Sequence, residues 1–140
     1  MSKYANAQWQ GTGKDGKGTL TTETKYLNNA PYTYATRFGE AKDGTNPEEL
    51  VAAAHAGCFS MKLSFVLNEA GFTPDTIDTK CEITLANGAI TKSHLTVNAK
   101  IPRITKEKFE ECAKEAKENC PISKSLNSNI EISMDASLSE

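Results

Sequence analysis

Apolar residues run along this chain in three rhythms, and each rhythm specifies an element. The longest is nearly continuous: between Leu50 and Leu67 the only formal charge is Lys62. The stretch Asn46 to Gly71, NPEELVAAAHAGCFSMKLSFVLNEAG, therefore predicts one helix that is apolar on almost every face. Asn46 suits the cap, Pro47 the first helical position, Glu49 the third place of an N-x-x-E capping box, and Gly71 the stop. A helix of this kind belongs inside a protein or an oligomer. Its unbroken apolar part is short, polar atoms interrupt it and glutamates open it, which argues against a membrane span.

The second rhythm has a period of two. Ile77, Cys81, Ile83 and Leu85 alternate with charged and polar neighbours, Asn87-Gly88 turns the chain, and Leu95, Val97, Ala99 and Ile101 alternate with Lys92, His94, Thr96 and Asn98. Ile130, Ile132, Met134, Ala136 and Leu138 make a last alternating strand. Towards the N-terminus, Tyr4–Gln10 and Thr19–Thr24 flank a glycine-rich turn, and YTYATRF, residues 32–38, reads as a third strand ending at Arg37. The run GTGKDGKG is a turn and not a phosphate-binding loop, since no helix follows it. The third rhythm is helical: Phe109, Cys112, Ala113 and Ala116 form a stripe behind a Thr105 cap. At Asn119-Cys120-Pro121 that helix should break, with a short one restarting at Pro121.

At 140 residues these elements fit a single domain, residues 1–140. A net charge of -2 and no basic cluster with interleaved aromatics argue against a nucleic-acid partner. The N-terminus lacks the apolar core of a signal peptide, so a reducing, cytoplasmic setting is expected. There, Cys58, Cys81, Cys112 and Cys120 are free thiols or a redox pair more readily than a disulfide framework. The absence of C-x-x-C speaks against structural zinc.

Cys81 and Cys112 fall on inward-facing positions and read as small buried hydrophobes. Cys120 precedes Pro121 at the start of the short helix, where free N–H groups favour a thiolate. Cys58, in mid-helix, has no helix end to help it and needs a cation from elsewhere; Arg37 is the nearest plausible one in the sequence. His55, one turn before Cys58, permits a Cys–His pair, although periodicity alone favours a packed, satisfied histidine over it. Glu48 and Glu49 are already explained by the helix dipole.

TRFG at 36–39, NPEELVAAAHAGCFSM at 46–61, GFTP at 71–74 and CPISK at 120–124 together resemble the osmotically inducible protein C branch of the OsmC/Ohr family of thiol peroxidases. The resemblance spans nearly the whole chain in order. It implies an α+β fold, with antiparallel sheets wrapped around a long buried central helix in an intertwined homodimer. It further implies that Cys58 is the peroxidatic and Cys120 the resolving cysteine, with Arg37 the arginine of this branch and Glu48 its partner. The other branch carries its arginine in the glycine-rich N-terminal region, where this chain has only Lys14 and Lys17.

On that resemblance, no cofactor is expected. The substrate is an organic hydroperoxide, the intermediate a Cys58 sulfenic acid closing to a Cys58–Cys120 disulfide, and the reductant an external dithiol such as a lipoylated protein, in oxidative or osmotic stress defence. Two other readings stay open: a hydrolase using Cys58 with His55, and a non-catalytic thiol- or lipid-binding module. Glu48 and Cys58 are ten residues apart, about 15 Å on a continuous helix. A shared site therefore requires either a helix break between Leu50 and Gly57 or a second copy of the chain.

Overall fold

The computed structural model describes residues 1–126 and 128–139. The elements in order are β1 (Ala5–Gln10), β2 (Lys17–Thr22), β3 (Ala30–Tyr32), α1 (Tyr34–Phe38), α2 (Pro47–Glu69), β4 (Thr76–Ala86), β5 (Ala89–Lys100), α3 (Lys106–Asn119), α4 (Pro121–Leu126) and β6 (Glu131–Ser139). They make an α+β protein whose contacts group into two units, residues 1–50 and 51–140.

In the first unit, β1, β2 and β3 form an antiparallel sheet in sequence order. Trp9 and Tyr32 stack across it with ring centroids 5.3 Å apart. Gly18 lies beneath both rings, and a Cβ there would sit 2.5 Å from Trp9 and 2.6 Å from Tyr32, so only glycine fits. The expected strand over 32–38 is corrected: it stops at Tyr32, and residues 34–38 form the short helix α1. Thr33 and Thr36 make a reciprocal capping box that starts a helical turn. The Thr36 hydroxyl, bonded also to the Thr45 carbonyl at 2.9 Å, ties that turn to the loop before α2. Tertiary bonding has overridden a β-rich local composition.

α2 runs unbroken from Pro47 to Glu69, which removes the break considered between Leu50 and Gly57. Asn46 Oδ1 accepts from the Glu49 amide at 2.7 Å as expected of a cap, and the Glu49 carboxylate accepts from the Thr45 hydroxyl at 2.7 Å. The chain leaves the helix through Gly71 at φ 92°, a left-handed position that favours glycine.

The second unit has one core. Phe59, Leu63, Val66 and Leu67 of α2 pack with Leu95, Val97 and Ala99 of β5 and with Phe109, Cys112, Ala113 and Ala116 of α3. The alternation along β5 and the stripe on α3 fall on the buried sides that the pattern predicted. Asn87 and Gly88, both at positive φ, turn β4 into β5.

Two expectations are refined. The sheet order is β4-β5-β6, but β6 pairs parallel to β5, so this sheet is mixed and not antiparallel throughout. The cause is the connection: α3 and α4 carry the chain back, so β6 starts from the same end as β5. The second refinement concerns α2, which is long and apolar enough to span a bilayer by length and composition. It buries His55, Phe59, Leu63, Val66 and Leu67 as a core helix does. Its other face, with Ala54, Gly57, Met61 and Phe65, is exposed in the single chain, since the expected burial on all sides needs a second layer.

Candidate active site

Four residues stand out in the sequence as candidate chemistry, and they meet in two pairs. In residues 1–50, Arg37 projects from the last turn of α1 and Glu48 from the first turn of α2. Their side chains form a two-pronged pair, Arg37 Nε to Glu48 Oε1 and Nη2 to Oε2, both at 2.9 Å. Glu48 raises the Arg37 pKa above its ordinary value, chiefly through this hydrogen bonding, and the guanidinium lies 4.9 Å from the Phe38 ring centroid. Arg37 is thus a permanent cation with a fixed orientation, its side chain 38% exposed.

In residues 51–140, Cys58 and Cys120 meet across 62 positions of sequence with their sulfurs 2.9 Å apart, the Cys120 thiol donating to Cys58 Sγ. All four cysteines are free thiols. Cys58 is half-buried in the middle of α2, and Cys120 is fully buried at the joint between α3 and α4. That joint is built by Pro121, which cannot continue α3 and pushes Cys120 to extended backbone at ψ 127°. The Cys120 N–H closes α3 on Ala116 while its carbonyl opens α4 by accepting from Lys124.

The restart of the helix has a consequence for Cys58 that the sequence reading assigned to Cys120. Pro121 has no N–H, so the first free amide of α4 belongs to Ile122, and its influence on Cys58 is to lower the thiol's pKa. A mid-helix cysteine therefore does receive help from a helix end, that of another helix. Lys62, one turn further along α2, adds a positive charge. Burial and the adjacent Cys120 sulfur push the Cys58 thiol up, and the Ile122 amide and Lys62 pull it down against them. The net direction is upward, and burial is the main cause.

His55 takes no part in a pair with Cys58. It is fully buried, with Nδ1 2.6 Å from Ser93 Oγ of β5 and Nε2 2.7 Å from Ser123 Oγ of α4. Burial lowers its pKa below the ordinary histidine value, so the ring is neutral. Cys81 Sγ joins the cluster 3.2 Å from Ser93 Oγ. Burial raises both the Cys81 and Cys112 thiols; Cys112 is a core residue as read, whereas Cys81 is only partly buried and packs against the core. Sequence reasoning missed Ser93, Ser123 and the Ile122 amide. For the serines the signal is faint: each is a small polar residue at an inward position, Ser93 sharing the parity of Leu95 and Val97.

Known proteins resemble this chain over most of its length. The OsmC-like protein family model matches residues 39–135. Peroxiredoxin OsmC of Escherichia coli (strain K12) is 47% identical over 134 residues, covering 93% of each chain. The organic hydroperoxide resistance protein OhrB of Bacillus subtilis is 30% identical over 100 residues, 69% of this chain and 72% of that one. Its crystal structure has the same fold, with a TM-score of 0.71 at 24% identity, covering 95% of this chain and 97% of that one. The crystal structure of an OsmC-like protein from Mycoplasma pneumoniae reaches a TM-score of 0.80 at 13% identity, covering 100% of this chain and 99% of that one.

Proposed function

The chain belongs to the OsmC-like protein family, and on that premise we propose that it is a thiol peroxidase that reduces organic hydroperoxides to alcohols in stress defence. The names of its relatives, peroxiredoxin OsmC and organic hydroperoxide resistance protein, support the reaction class. The observation that carries the residue assignment is the 2.9 Å approach of two free thiols, Cys58 and Cys120.

The Cys58 thiolate attacks one peroxide oxygen. The O–O bond breaks, the alkoxide takes a proton and leaves as the alcohol, and Cys58 becomes a sulfenic acid. The Cys120 sulfur then attacks Cys58, the hydroxyl leaves as water with the proton released, and a disulfide remains. An external dithiol reduces it by two exchanges, becoming a disulfide itself; a lipoylated protein has the required chemistry. The Ile122 amide favours the Cys58 thiolate and Cys120 waits in contact, so neither sulfur has far to travel.

A thiol pushed up by burial needs a further cation, and we assign it to Arg37, held by Glu48. Ten helical residues separate Glu48 from Cys58, a rise of about 15 Å, so the pair that serves one Cys58 comes from a second copy of the chain. Because Arg37 and Glu48 bind each other within one chain, they arrive together. The exposed stripe of Ala54, Gly57, Met61 and Phe65 on α2 supports such a homodimer, in which the helix gains the second layer its composition demands. The proposed setting is the cytoplasm, whose reducing thiols would recycle the disulfide.

Against a Cys58–His55 hydrolase stands the occupation of both His55 nitrogens by serines. Stopped-flow mixing with cumene hydroperoxide, with free thiols counted before and after, tests the reading. The expected result is one peroxide consumed and two thiols lost per chain, with Cys58→Ser inactive and Cys120→Ser halting at a trappable sulfenic acid. Unchanged consumption in Cys58→Ser refutes it.

A further inference from the structure

The cluster around His55 has no step in the peroxidase cycle, yet it is the most completely buried polar group among the described residues of 51–140. His55 and Ser93 are 0% exposed and Ser123 is 2% exposed. Burying a histidine and two hydroxyls is costly unless every partner is in place, and here each ring nitrogen has a serine. The three residues come from three elements: α2, β5 and α4.

α4 shows why the cluster is there. It is six residues long, too short to persist without tertiary contacts, and its one buried residue is Ser123. Pro121 is exposed, while Ile122 and Leu126 are only partly covered. No apolar side chain of α4 is driven into the core, so what docks this helix is a hydrogen bond. Cys120, whose sulfur lies 2.9 Å from that of Cys58, immediately precedes this helix. His55 sits on α2 one turn before Cys58.

We propose that His55 is a positioning residue: through Ser123 it clamps α4 to α2 and so sets the approach of Cys120 to Cys58. Ser93 holds the other nitrogen to the sheet and fixes the direction of the ring. The clamp touches neither peroxide nor sulfur. It keeps the resolving thiol in contact with its target by adding a side-chain anchor on α4 to the backbone bonds that hold the Cys120-Pro121 joint. Closing the bond then needs the sulfurs to draw together from 2.9 Å to the roughly 2.05 Å of a disulfide, with no local unfolding. The proposal rests on the assignment of Cys58 and Cys120 as the redox pair.

Ser123→Ala is the perturbation of choice, because it removes the hydroxyl and almost no volume. In a single turnover with one equivalent of cumene hydroperoxide, disulfide formation should slow about tenfold, the scale of one lost buried hydrogen bond. The fraction of Cys58 captured as sulfenic acid by dimedone should rise correspondingly, and Ser123→Thr, which keeps the hydroxyl, should restore closure. Cys112→Ala, a core change on α3, should lower Tm and leave disulfide formation at the parental rate. The clamp is overturned if Ser123→Ala closes its disulfide as fast as the parent, or if Cys112→Ala slows closure equally. A parent that never forms the Cys58–Cys120 disulfide, or a Cys120→Ser protein that traps no sulfenic acid, overturns instead the peroxidase assignment.

Discussion

Oxidation should make this protein more stable, by an amount that follows from its topology. The perturbation is a stoichiometric hydroperoxide with no reductant, so that the cycle stops at the disulfide. Cys58 and Cys120 are 62 positions apart, and the bridge closes a loop of that length in the unfolded chain. The chain-entropy relation puts the stabilisation near 4 kcal/mol at 25 °C, as an upper value that strain in the bridge reduces. Little strain is expected, because the thiols already touch. Urea denaturation of oxidised and reduced protein, followed by far-UV circular dichroism, measures the difference as a shift in midpoint. Cys120→Ser treated in the same way should show no comparable shift. By linkage, a bridge that stabilises the fold is harder to reduce, which fits recycling by a strongly reducing dithiol. An oxidised form equal to or less stable than the reduced one would falsify the argument, since the fold would then have to distort to accept the bond.

Two further outcomes are expected. His55 is held neutral with a folded pKa below its unfolded value, so its stabilising contribution is complete above about pH 6.5 and is lost as the pH falls towards the folded pKa, at up to about 1.4 kcal/mol per pH unit. Urea midpoints across this range should fall more steeply for the parent than for His55→Gln, and parallel curves would show that His55 does not titrate as described. Mixed dimers of an inactive Glu48→Ala chain with an inactive Cys58→Ser chain, refolded together, should recover about half the parental activity, one intact site of two; verified heterodimers without activity would refute a site shared between copies.

Much of this fold can be read from local pattern, and the exceptions share a physical cause. The alternation of β5, the stripe of α3 and the break before Pro121 depend on neighbours in sequence, and all three were legible. Residues 34–38 were not, because the Thr36 hydroxyl bonds Thr45, nine positions away, and that bond helps decide for helix. The parallel pairing of β6 depends on where two intervening helices carry the chain, information that no alternation contains. Arg37, Glu48, Cys58 and Cys120 were legible as candidates, through residue type, spacing and motif. Their pairing as Arg37–Glu48 and Cys58–Cys120 was implied only by the family resemblance. His55 was legible as a buried histidine, but its serines are ordinary residues in ordinary places until the fold gathers them.

The amide that Pro121 leaves to Ile122 has a consequence for how the protein can vary. A backbone N–H belongs to every residue except proline, so the downward pull of this amide on the Cys58 thiol is indifferent to which side chain stands at position 122. The side chain at that position can change in size or polarity while the backbone influence that favours the thiolate stays in place. Proline alone is forbidden there. The influence on the sulfur is thereby written in the backbone, and a comparison of side chains alone would not record it.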